Sequence, residues 1–73
     1  MENVTIIYQK GIEQNDRGVY RKDGVVFRAK ETVHEWTLSS VDHPVKIELK
    51  WSKKDLPTFD EWHIELTNNG FEN

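Results

Sequence analysis

The sequence contains no cysteine, which excludes disulfide staples and thiolate zinc sites and leaves side-chain packing to hold the fold. The same lack fits a reducing cytoplasm. Alanine occurs once, at Ala29, and leucine four times, against seven valines, five isoleucines and five threonines. So few helix formers beside so many β-branched residues favour half-buried strands. Long apolar runs are missing too. The longest near the start, Val4 to Tyr8, falls far short of the ~20 residues a membrane span needs, and it has no basic flank or cleavage site. The expectation is a cytoplasmic protein, with the Asn3-Val4-Thr5 sequon a chance match. No repeat, low-complexity tract or Pro/Gly-rich linker divides the 73 residues, so one domain spanning 1–73 is expected.

A domain of this size buries only about 60% of its unfolded surface, which makes large rings valuable. Eight aromatics, three of them tryptophan, are present. The net charge of −3 is unevenly spread: residues 17–30 carry five cations against Asp23, whereas residues 55–73 carry five carboxylates and no Lys or Arg. Such a dipolar chain can orient against a charged partner, although solvated charge is also how small domains stay soluble.

Asp23-Gly24 lies between alternating runs and predicts a two-residue type I′ hairpin loop, which needs positive φ at both central positions. Lys22 then pairs with Val25, Tyr20 with Phe27 and Val19 with Arg28. A second reversal at Glu31-Thr32, though poor turn chemistry, would set Phe27 beside Trp36, Val25 beside Leu38 and Arg28 beside Glu35. Tyr20, Phe27 and Trp36 form a cross-strand row in this register. The opposite face holds Arg17, Val19, Arg21, Val26, Arg28 and Lys30, followed by Val33, Glu35 and Thr37, with Glu35 the sole compensating charge. A solvated face is the default for an antiparallel sheet, and a docking face for an acidic or mixed partner is the sharper reading.

Residues 3–9 alternate as a first strand whose Val4, Ile6 and Tyr8 share one side; as an edge it could accept a partner strand. Residues 45–51 alternate Val45, Ile47, Leu49 and Trp51 against charged positions. The last segment reads two ways. As a strand over 61–67 it pairs Leu49 with Trp62 and Ile47 with Ile64. As a helix it opens with the capping box Thr58-x-x-Glu61 and closes at Gly70. The strand is preferred because Trp, Ile and Thr are mediocre helix formers. The expected fold is mainly β: a small antiparallel sheet or curled meander with strands 3–9, 17–22, 25–30, 33–38, 45–51 and 61–67. Its core gathers Tyr20, Phe27, Trp36, Leu49, Trp51 and Trp62, and a short C-terminal helix replaces the last strand in the alternative.

No constellation suggests catalysis. Alternation places His34 with Trp36 on the core side and His63 away from Trp62, so His34, His43 and His63 do not converge on a metal. Ser39, Ser40, Asp42 and His43 hold the ingredients of nucleophilic chemistry, but a triad needs them bonded in series about a pocket, and turn formation explains them better. Asp60, Glu61 and Glu65 lack the burial that would separate their pKa values. No cofactor is expected. A nucleic-acid-binding β module is the main rival, weakened because the rings oppose the cations and the chain is acidic.

From "MENVTIIYQKG" through "RGVYRKDGVVFRAK" to "WHIELTNNGFEN", the chain resembles small proteins of lytic Xanthomonas phages that bind host RNA polymerase. The resemblance implies a non-enzymatic regulator in the host cytoplasm. It would bind the polymerase's largest subunit, block initiation by the host holoenzyme and promote antitermination, without contacting nucleic acid directly. It supplies no site residues. Those remain Arg17, Val19, Arg21, Val26, Arg28 and Lys30, with Val4, Ile6 and Tyr8 on the first strand, in a chain expected to be monomeric.

Overall fold

In the computed structural model, which describes residues 15–73, Asp23 and Gly24 both take positive φ, 53° and 80°. That is the sign a two-residue I′ loop requires at both positions. The loop joins β1 (Asn15–Lys22) to β2 (Val25–Glu31) in the predicted register, with Lys22 opposite Val25, Tyr20 opposite Phe27 and Val19 opposite Arg28.

The second reversal differs from expectation. The loop is Thr32 to His34, leading into β3 (Glu35–Val41), and it sets Glu31 opposite Trp36, Ala29 opposite Leu38 and Phe27 opposite Ser40. Thr32 explains the displaced turn. Its Oγ1 accepts from the N–H groups of His34 (3.3 Å) and Glu35 (3.0 Å), and its own N–H donates to the Glu35 carbonyl at 2.8 Å. These bonds close the turn between Thr32 and Glu35 around Val33 and His34, two residues further along the chain than Glu31-Thr32. The slip covers an even number of residues, so Trp36 and Leu38 stay on the Tyr20 face. Val33 and His34 leave the sheet for the exposed loop, which corrects the core-side placement of His34.

β4 (Glu48–Ser52) pairs with β3 through Leu38 opposite Leu49 and Trp36 opposite Trp51, completing a sheet of order β1-β2-β3-β4. It starts later than the expected 45–51; Val45 lies in the preceding loop and is exposed.

Residues 61–67 are not a strand. They belong to α1 (Phe59–Asn68), and the capping box outweighs the mediocre propensities of Trp62, Ile64 and Thr67. Thr58 Oγ1 accepts from the Glu61 N–H at 3.2 Å, and Glu61 Oε1 accepts from the Thr58 N–H at 3.1 Å. Asp60 and Glu61 sit in the first turn, where the helix dipole favours negative charge. The other end closes as a Schellman motif: Phe71 N–H donates to the Leu66 carbonyl, Gly70 N–H donates to that of Thr67, and Gly70 stands at φ 91°. Among the described residues no helix is long and apolar enough to cross a membrane.

The helix buries Trp62 and Leu66 against the face of Tyr20, Phe27, Ala29, Trp36 and Leu38. Trp62 stacks on Trp36, with centroids 4.9 Å apart and planes at 17°, and meets Trp51 edge-on at 5.8 Å. Leu49 and Trp51, expected in the core, are half-buried at its margin. Beyond the helix Phe71 packs edge-on against Phe27 at 5.5 Å, and Glu72 exchanges two backbone hydrogen bonds with Arg21 on the outer edge of β1. The C-terminus thus covers part of that edge.

Replacing Thr58 by Ala removes the cap and is expected to cost about 1 kcal/mol. In a domain this small that lowers Tm by roughly 4–8 °C, readable by thermal circular dichroism.

Candidate protein-docking face

The site expected on the sheet face opposite the rings is partly assembled and partly rearranged by a bulge. Pairing jumps between Asp16 and Gly18: Asp16 faces Lys30, Gly18 faces Ala29, and Arg17 is the unpaired residue. Gly18 takes φ 100°, and its N–H donates to Asp16 Oδ1 at 2.9 Å. A bulge re-aims side chains, and here it reverses Arg17.

Arg17 was expected with the outward cations. It instead projects to the helix side, where Nε and Nη2 donate to Glu31 Oε1 at 2.9 and 2.6 Å and its guanidinium carbon lies 4.9 Å from the Phe59 ring centroid. Lys53 donates to Glu31 Oε2 and places its ammonium 4.8 Å from the Trp36 ring centroid. The Lys53 hydrogen bond, aided by Arg17 and opposed by burial, holds the Glu31 carboxyl below the ordinary glutamate range. This is a clamp between the end of β2, the bulge and the approach to α1.

The other expected cations share the outward face. Arg21, Val26 and Val41 lie in one cross-strand row; Val19, Arg28, Ser39 and Glu48 lie in the next; Lys30, Thr37 and Lys50 lie in the third. Thr37 is only 8% exposed at the centre of this face. Glu35 is not the sole compensating anion. The bulge brings Asp16 to Arg28 (3.2 Å), and Glu48 arrives on β4, where its Oε2 accepts from Ser39 Oγ at 3.4 Å. Arg21, Lys30 and Lys50 make no ion pair among the described residues. Lys50 was missed because its strand was paired with residues 61–67 and not with β3; its strict alternation with Leu49 and Trp51 carried the signal.

Val4, Ile6 and Tyr8, expected on an edge strand over 3–9, lie outside the described residues. Among the described strands β4 is an edge and β1 the other.

The remaining candidates are engaged locally. Ser40 Oγ accepts from the Ile47 N–H at 2.9 Å, and His43 Nδ1 lies 2.8 Å from the Val45 carbonyl, so the 39–43 loop builds no triad. His63, expected away from the core, reaches Tyr20, whose hydroxyl is 2.8 Å from Nδ1. Burial raises the Tyr20 pKa. No group of three or more metal-ligating side chains occurs among the described residues. An open cleft of about 420 Å³ at the hairpin tip is lined by Arg21, Lys22, Asp23, Gly24, Gly70 and Glu72.

No family model, curated protein or solved structure matches the chain.

A folded-state pKa below the unfolded one means that Glu31 contributes its full stabilisation above the unfolded pKa and loses it as pH falls through the folded value. Glu31→Gln is expected to cost about 1 kcal/mol at neutral pH, after allowing for solvent screening of the more exposed Arg17. Urea titrations should show the gap to the parent protein closing as the pH drops beneath the glutamate range.

Proposed function

We propose that this chain is a non-enzymatic regulator that docks on bacterial RNA polymerase through the outward face of its sheet. There it hinders initiation by the host holoenzyme and favours readthrough of terminators. The observation that carries the docking mode is the grouping of Arg21, Arg28, Lys30 and Lys50 around Val19 and Val26 on a face that α1 leaves open. The polymerase as partner, and its largest subunit as target, rest on the whole-chain resemblance to phage proteins of this type.

A face of this composition suits a protein partner. Arginine with apolar centres is typical of such interfaces, and a module this small can offer roughly 800 Å² on its side. Obstruction of a large enzyme needs occupancy alone and no catalytic group. The nucleic-acid reading is disfavoured by the same geometry, because Tyr20, Phe27 and Trp36 are 1%, 4% and 1% exposed and cannot stack on bases.

The purified chain immobilised on resin is expected to retain RNA polymerase from a bacterial lysate at low salt and to release it as salt rises. Arg21→Glu combined with Lys30→Glu should leave the circular dichroism spectrum unchanged and weaken retention about tenfold or more. Failure of the parent protein to retain polymerase would remove the partner; unchanged retention by the variant would remove the face.

A further inference from the structure

We infer that the outer edge of β4 pairs with the same edge of a second copy, in an antiparallel register centred on Leu49. This goes beyond the polymerase reading, which concerns the sheet face and leaves the edge unused, and it replaces the monomer expected from the sequence.

The argument starts from where the β4 backbone points. Ser40 N–H donates to the Ile47 carbonyl, and Lys53 N–H donates to the His34 carbonyl, so residues 47 and 53 both turn toward β3. Backbone direction alternates along an antiparallel strand, so Leu49 and Trp51 turn inward as well, and Glu48, Lys50 and Ser52 present their N–H and C=O groups to the outside. Among the described residues nothing lies beyond β4 in the sheet. The opposite edge differs, since Glu72 bonds the Arg21 backbone and Asn73 Nδ2 donates to the Val19 carbonyl at 3.0 Å.

An exposed edge is commonly guarded by a lysine, and Lys50 would repel a second Lys50 placed opposite it. Glu48 changes that. A two-fold axis through Leu49 sets Glu48 of each copy opposite Lys50 of the other, twice, at outward-pointing positions that exchange both backbone hydrogen bonds. The register is selected by charge as well as permitted by geometry.

The same axis orders the other side of the strand. Leu49 meets Leu49 at a non-hydrogen-bonded pair, where side chains approach most closely, and Trp51 faces Ile47 of the second copy. All three are half-buried at the margin of the core, so pairing covers apolar surface that one copy leaves in water. An isologous contact of this kind closes on itself and yields a dimer with one continuous sheet. Arg21, Arg28 and Lys30 of the charged face lie away from this contact on both copies, while Lys50 is shared with it.

The test is a charge swap followed by sedimentation velocity from about 10 μM to 1 mM, the range in which a contact below ~1,000 Å² associates. The parent chain is expected to form dimers. Glu48→Lys alone and Lys50→Glu alone each set like charges opposite one another and should weaken association at least about tenfold. Glu48→Lys with Lys50→Glu in one chain should restore it, and so should mixing the two single variants, because each then supplies what the other lacks. Both positions are exposed, and circular dichroism should show all variants folded. A parent chain monomeric throughout, single variants that dimerise like the parent, or a double variant that stays monomeric would each overturn the proposal. None of these outcomes bears on polymerase retention, which is measured separately.

Discussion

The stack of Trp62 on Trp36 is the contact on which the rest of the structure depends. One ring comes from the helix and the other from the centre of the sheet, and both are almost wholly excluded from solvent. Tyr20, Trp51 and Phe59 close around Trp62, so one helix side chain touches rings from three strands of the sheet. Its indole N–H is buried without an acceptor among the described residues. Leaving such a donor unpaired costs about 1–3 kcal/mol. Burying ~200 Å² of ring contributes about 5 kcal/mol, so the packing outweighs the missing hydrogen bond. By seating the helix on one sheet face, the stack also decides which face the helix leaves uncovered.

Glu31 shows how the same packing handles a charge near the core. The slip of β3 carries Trp36 from Phe27 to Glu31, which puts a carboxylate on the covered face beside an indole. An isolated charge there would be costly. Arg17, turned over by the bulge, and Lys53, from beyond β4, both reach it, and each cation also lies over an aromatic ring. A guanidinium that alternation assigns to the outer face therefore works inside the fold, and the outer face loses it.

The two layers differ in electrostatic character. Asp60, Glu61 and Glu65 lie on the helix, and Arg21, Arg28, Lys30 and Lys50 on the far side of the sheet. Separation of charge across a thin molecule orients it in the field of a partner before contact, over distances limited by a Debye length of about 8–10 Å. Asp16, Glu35 and Glu48 temper the basic face, and a tempered face is selective for patterned rather than uniformly negative partners.

Short-range chemistry was legible in the residues themselves. Asp23-Gly24 imposes positive φ on neighbouring positions, and the Tyr20–Phe27 pairing and the division of rings from most cations follow by alternation. The Thr58–Glu61 capping box was equally visible, but propensity was given more weight than the two reciprocal hydrogen bonds that settle the helix. The inversion of Arg17 and the reach of His63 to Tyr20 were not legible, because they depend on partners distant along the chain, whereas the displaced turn rests on the local bonds of Thr32 to His34 and Glu35. Lys53 meets Glu31 across 22 residues and His63 meets Tyr20 across 43. The sequence alone determined local bends, caps and side-chain parity, since those need only neighbouring atoms. Tertiary structure decided the bulge, the seating of α1 and which described strands form the sheet's edges, because the energy that selects them arises only when separate elements pack together.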